Sequence, residues 1–243
     1  MVEGYLGEVK PAAAPAPKAI IAPHAAYVYS GAIAASAYAR LAGARDVVRR
    51  IVLIGPAHHF PFAGVATTSA NAWATPLGRV TVEAEAVCQI APLPQVCVLD
   101  EAHAPEHALE VHLPFLQVVL GHFKILPLLV GDASDGEVAE IIEKLWGGDE
   151  TRFVISSDLS HFHDDARARE LDAVTARAIE GLRPEDIGEG QACGRVAIRG
   201  LLQAASRHGL RAHTVAMGNS GDAAGGRAKV VGYGAWTFEQ PEQ

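Results

Sequence analysis

Residues 51–60 read Ile-Val-Leu-Ile-Gly-Pro-Ala-His-His-Phe. Four apolar residues with no polar alternation describe a strand covered on both faces. Gly55-Pro56 stops the run, and two adjacent imidazoles, His58 and His59, stand just past its carboxyl end. The same kind of run recurs at Ala19–Ala22, Ile125–Val130, Phe153–Ile155, Ala212–Met217 and Val230–Phe238. Segments with helical spacing lie between them: Ser30–Leu41 with Ser30 at its N-cap, Val82–Ile90, Asp135–Trp146 capped by Asp135 and stopped at Gly147, Arg167–Leu182, and Gly194–His208 closed by Gly209. Strands alternating with helices predict a single three-layer α/β domain, a largely parallel sheet flanked by helices. That domain is expected over residues 18–243. Residues 1–17, dominated by the Pro/Ala-rich stretch 9–18, are expected to form an extended lead-in.

Composition sets the outer limits. A chain of 243 residues, 49% hydrophobic and 20% charged, can bury one large core. A formal net charge of −8 without Lys/Arg runs argues against nucleic acid, because neutralising phosphates needs clustered cations. Cys88, Cys97 and Cys193 are odd in number, lack CxxC spacing and come without a signal peptide, so a reduced, cytoplasmic protein without disulfides is expected. No apolar run approaches the roughly 20 residues that a membrane helix needs, so no membrane partner is expected either.

In sheets of this kind ligands sit outside the carboxyl ends of the strands. The strand at Ala19–Ala22 empties into Pro23-His24, that at 51–54 into His58-His59, that at Phe153–Ile155 into Ser156-Ser-Asp158-Leu-Ser-His161, and that at Ala212–Met217 into Gly218-Asn219-Ser-Gly-Asp222. Polar and titratable groups thus converge on one sheet edge. Glu106-His107-Ala-Leu-Glu110-Val-His112 adds more of them; on a helix Glu106 and Glu110 would share a face and His107 would lie over Glu110. Cys193 precedes an apolar helix whose positive N-terminal end favours a thiolate. Cys88 and Cys97, in apolar surroundings, read as core. His24, His58 and Cys193 together can offer two neutral nitrogens and one thiolate, a set suited to Fe(II), Cu or Zn with open positions left. In Asp158-x-x-His161 the carboxylate is near enough to orient an acid/base imidazole, although Asp158 and Ser156 as caps and a surface His161 explain the same spacing.

With these residues assembled, the chain resembles the Memo-like protein family, whose members share the fold of class III extradiol ring-cleaving dioxygenases of the LigB type. The motifs are Ile21-Ala-Pro-His-Ala-Ala-Tyr-Val-Tyr-Ser-Gly31, Leu53-Ile-Gly-Pro-Ala-His-His59, Glu106-His-Ala-Leu-Glu-Val-His-Leu-Pro-Phe115, Ile155-Ser-Ser-Asp-Leu-Ser-His161, Cys193-Gly-Arg195 and Gly218-Asn-Ser-Gly-Asp222. The resemblance implies that His24 and His58 are metal-binding histidines, that Cys193 is the Memo-like thiolate where the ring-cleaving enzymes carry a glutamate, and that His161, with Asp158 beside it, is placed as acid/base. His59, Glu110, His112 and Asn219 are then expected to line the pocket. A thiolate in the third position softens the site toward other iron redox roles or copper and away from catechol cleavage. The family's longer aromatic N-terminal segment is here shortened to Met1–Pro17, so part of the pocket wall is expected to be missing.

Two functions follow as expectations. One is a non-haem iron or copper oxidoreductase acting on a small molecule. The other is a non-catalytic metal- or ligand-binding module with an inherited dioxygenase pocket; the resemblance also implies radical-SAM partner proteins of the AmmeMemoRadiSam system. Hydrolysis by a zinc-bound water ranks below both, and Gly218-Asn-Ser-Gly is no G-x-S-x-G nucleophile elbow.

Overall fold

The computed structural model describes residues 1–10 and 15–241. In chain order the elements are α1 (Val2–Gly7), β1 (Ala19–Ala22), α2 (Tyr27–Tyr38), β2 (Arg50–Pro56), β3 (Val65–Thr67), β4 (Ala72–Thr75), β5 (Gly78–Val82), α3 (Ala84–Ile90), β6 (Val96–Val98), α4 (Asp100–His103), α5 (Leu113–Leu120), β7 (Lys124–Val130), α6 (Asp135–Lys144), β8 (Thr151–Ser156), β9 (His161–His163), α7 (Asp165–Glu180), α8 (Arg195–Arg207), β10 (Arg211–Asn219), α9 (Ser220–Ala223) and β11 (Val230–Glu239). One sheet contains the strands, with the path β10-β11-β1-β8-β2-β7-β3-β6. Its centre, β1-β8-β2-β7, is parallel. Successive residues of these strands face opposite cores. Ile21, Val52, Ile54, Leu126, Leu128, Phe153 and Ile155 pack against α3, α6, α7 and α8. Ile20, Ile51, Leu53, Ile125, Leu129 and Val154 pack against α1, α2 and α5. Both faces are covered, which is why these strands read as unbroken apolar runs.

The sheet is mixed rather than largely parallel. β11 runs antiparallel to both β1 and β10, β3 to β7, β4 to β5, and β9 to β11. A short connection carries β10 into β11 and leaves no length for the crossover that a parallel pair needs. The strands beyond the sequence-based expectation, such as β3, β6 and β9, are three residues long, too short for a period to show.

Several boundaries shift for local reasons. Residues 2–7 form a helix instead of an extended lead-in. Val2 is buried, Tyr5 and Leu6 pack on the same core, and the Tyr5 ring lies where a Cβ on Gly31 would stand. Residues 11–14 of the expected lead-in lie outside the described residues. Ser30 is inside α2, its hydroxyl turned back to the Ala25 carbonyl, while Ala26 holds the N-cap position. Val82 ends β5, and its helix begins only at Ala84. Ser134, not Asp135, caps α6, through a reciprocal capping box with Glu137. Cys88 is exposed on α3 and is not a core residue, whereas Cys97 on the short strand β6 is partly buried and packs against the core. Among the described residues no helix is long and apolar enough to cross a membrane.

Candidate metal centre

The parallel register places three strand ends side by side: Ala22 of β1 pairs with Ser156 of β8, and Ile54 of β2 with Ile155. Each strand then delivers a functional residue within two or three positions: His24, His58 and Asp158. Cys193 arrives from the other direction, in the turn that enters α8, whose N-cap is Gly194. The thiol Sγ stands 3.5 Å from Nε2 of His24, whose ring lies 5.2 Å from that of His58. His24 thus has both the Cys193 thiol and the His58 ring beside it.

Each of the three is held from behind. Nδ1 of His24 lies 2.6 Å from Ser156 Oγ, which donates to the Ala108 carbonyl. The His24 backbone N–H donates to Asp158 Oδ1 at 2.9 Å. Nδ1 of His58 lies 3.0 Å from Glu106 Oε1, and its backbone N–H donates to Oε2 at 2.6 Å. A carboxylate behind an imidazole fixes the ring and leaves the opposite nitrogen to bind. The Asp158 backbone N–H donates to Cys193 Sγ at 3.2 Å, a contact suited to a thiolate. Burial pushes the Cys193 thiol up, but hydrogen bonds to His24 and His58 outweigh it and bring the group down to about 7. The same Cys193 contact, then the Glu106 carboxylate, raise His58 to about 10 against the opposing effect of burial. Two imidazoles with a thiolate fit a borderline-soft transition metal better than a hard cation.

The remaining expected site residues divide. His161 opens β9 at the rim, but its ring is oriented by the Leu159 carbonyl, 2.8 Å from Nδ1, and not by a hydrogen bond to Asp158. Asp158 is buried beneath the cluster, where burial raises its carboxyl although the His24 and Ala25 backbone N–H groups pull it down. His59 is exposed beside His58. Glu110 is exposed on shallow clefts shared with Tyr27 and with Trp73. His112 is only 1% exposed, with Nδ1 2.6 Å from the Tyr38 hydroxyl. Burial and the neighbouring His24 hold it down at about 3, so it is a neutral core imidazole and not a pocket wall. Asn219 does not line the pocket either: its side chain caps α9 at Gly221 N–H and donates to Asp165.

Residues 106–109 are irregular, so the expected helical face shared by Glu106 and Glu110 does not form. Glu106 instead turns inward, its side chain 2% exposed, and accepts from the backbone N–H groups of His107 and Ala108 as well as from His58. Sequence reading missed Glu106 and His107 as site residues. The signal was a carboxylate beside a histidine, hidden by assuming a helical spacing there. Ligand-type atoms of His24, His58 and His107 all lie within 4.8 Å of one another.

Phe162 was also missed. It is 72% exposed and has φ of 64°, the left-handed region that a bulky side chain adopts only at a cost. Pairing on both sides imposes it: Leu159 and Ser160 bond to Gly232, Asp172 accepts the Ser160 N–H, and β9 pairs with β11. Phe162→Gly is expected to be neutral or to stabilise by up to about 1 kcal/mol in urea unfolding. A loss of 1 kcal/mol or more would show that the ring is packed and the backbone unstrained.

The fold and this cluster define an α/β protein with a histidine–cysteine cluster at the carboxyl edge of its sheet. The chain belongs to the Memo family: the model of the Memo-like protein matches residues 1–237. It is 35% identical over 229 residues to a MEMO1 family protein of Aquifex aeolicus, covering 89% of this chain and 84% of that one. With a MEMO1 family protein of Sulfolobus acidocaldarius it shares 34% over 229 residues, 88% of this chain and 79% of the other. A crystal structure of the uncharacterized protein JW3007 from Escherichia coli K12 superposes with a TM-score of 0.59 over 90% of this chain and 98% of that chain. At 14% identity that likeness concerns the fold alone.

Proposed function

We propose that the chain holds one transition metal, iron(II) foremost and copper or zinc as alternatives, through His24, His58 and Cys193, and that it acts as an oxidoreductase on a small molecule. The observation that carries this reading is the placement of Cys193: its Sγ stands 3.5 Å from a ligand-type nitrogen of His24 and accepts the Asp158 backbone N–H, an arrangement suited to a thiolate. A bound iron or copper would supply one-electron chemistry and Lewis acidity. The chain's own groups do the rest. Ser156 and Glu106 aim the two imidazoles, Asp158 seats the His24 backbone and the thiolate, and His161, fixed through Nδ1, presents Nε2 for proton transfer to or from a substrate at the rim. The exposed Phe162 ring beside His161, centroids 5.6 Å apart, offers such a substrate an apolar contact.

The test is metal content after anaerobic, metal-replete purification, measured beside His58→Ala. Near-stoichiometric metal that the variant loses is the expected result. An unaltered protein without metal, or a variant that retains it, overturns the proposal.

A further inference from the structure

We infer that His107 is a fourth protein donor to the metal proposed for His24, His58 and Cys193, and that it is the displaceable one; the inference rests on that proposal. Its ring lies 5.8 Å from that of His24, nearly perpendicular, and 5.6 Å from that of His58, nearly parallel. All three rings turn Nδ1 toward an oxygen: His24 toward Ser156 Oγ at 2.6 Å, His58 toward Glu106 Oε1 at 3.0 Å, and His107 toward the same Oε1 at 3.6 Å. That common orientation leaves the far nitrogens for one shared ligand.

A competing assignment groups His107 with His59 and Glu106, whose ligand-type atoms also lie within 4.8 Å of one another. The Glu106 carboxylate is already used. It accepts from the His58 backbone and ring and from the His107 and Ala108 backbone N–H groups, and a carboxylate has only about four lone-pair sites. No strong acceptor remains there for a cation, so His107 belongs to the inner set.

Displaceability follows from how loosely the ring is held. The His107 side chain is 51% exposed, against 3% for His24, and 3.6 Å to Glu106 is too long for a hydrogen bond. Four protein donors would close a tetrahedral centre, and an open position is what separates a catalytic site from a structural one. Departure of His107 opens this one, so an incoming anion or substrate competes with an imidazole of this chain.

Cobalt(II) is the probe, loaded anaerobically into the full chain and into His107→Ala and His107→Gln. The unaltered protein is expected to show a thiolate-to-cobalt charge-transfer band with the intense visible bands of a four-coordinate ion. In both variants the charge-transfer band should persist, because Cys193 still binds, while the visible bands weaken as water raises the coordination number. Azide should then bind about tenfold more tightly. Variants whose visible spectrum and azide affinity match the unaltered protein overturn the inference and leave the three-donor centre intact. Absence of the thiolate band from the unaltered protein removes the proposed centre, and this inference with it.

Discussion

Glu106→Ala is expected to lower the unfolding free energy by about 3–5 kcal/mol and to weaken metal binding about 10- to 100-fold, without altering any proposed ligand. The carboxylate is buried and accepts four N–H groups, the backbone N–H of His107 and of Ala108 and the backbone and ring N–H of His58. Removing it strands donors that water reaches poorly, and each such donor costs on the order of 1–3 kcal/mol. It also frees the His58 ring, whose tautomer and direction it sets. Glu106→Gln separates the two effects. The amide keeps the volume but turns an NH2 group toward N–H donors, so it should recover part of the stability and little of the metal affinity. Urea unfolding of the metal-free variants and competition with a metal chelator measure both quantities. A loss below about 1 kcal/mol with unchanged affinity would falsify the role given to Glu106.

What the sequence revealed and what it hid divide along physical lines. The central strands were legible because burial on both faces writes itself as unbroken apolar runs, and parallel register then puts everything after Ala22, Ile54 and Ile155 on one edge. His24 and His58 could be named before any coordinates because each lies within a few residues of such a marker, and Cys193 because it stands just before an apolar helix. Asn219 carried the same marker, since β10 runs in the direction of β1, yet its side chain caps a turn; a strand end says where a residue lies and not which way it faces. His112 misled for a related reason. A histidine in an apolar stretch reads as either wall or core, and only the Tyr38 hydroxyl at 2.6 Å decides for core. Glu106 and His107 were out of reach because residues 106–109 follow no helical or strand period, so their directions depend on contacts with β2 and β8. The Val2–Gly7 helix was obscured by the Pro/Ala-rich stretch after it, although Val2, Tyr5 and Leu6 already have helical spacing.

Gly194→Ala should cost about 1–3 kcal/mol and lower metal affinity at least about tenfold, although residue 194 is no ligand. Its backbone, φ −87° and ψ 24°, suits any residue, so conformational freedom does not explain the glycine. Space does. A Cβ there would stand 2.5 Å from the Ser156 carbonyl oxygen and 2.8 Å from Ser157 Cβ, where contact with backbone cannot be relieved by turning a side chain. The Gly194 N–H bonds to Ser157 Oγ at 2.9 Å and the Cys193 N–H to the Asp158 carbonyl at 3.3 Å, so the end of β8 and the start of α8 are stitched together at this point. A methyl group forces them apart and carries Cys193 away from His24. The loss should therefore appear in the thiolate-to-cobalt band as well as in stability. Gly136→Ala is the control. In the first turn of α6 its Cβ would meet nothing closer than Ser134 Oγ at 3.9 Å, and the substitution should stabilise by about 0.4–1 kcal/mol with the metal spectrum unchanged. If Gly194→Ala instead matched that control in both measurements, the thiolate's position would not depend on the close approach of α8 to β8, and the cysteine turn would have to be held from elsewhere.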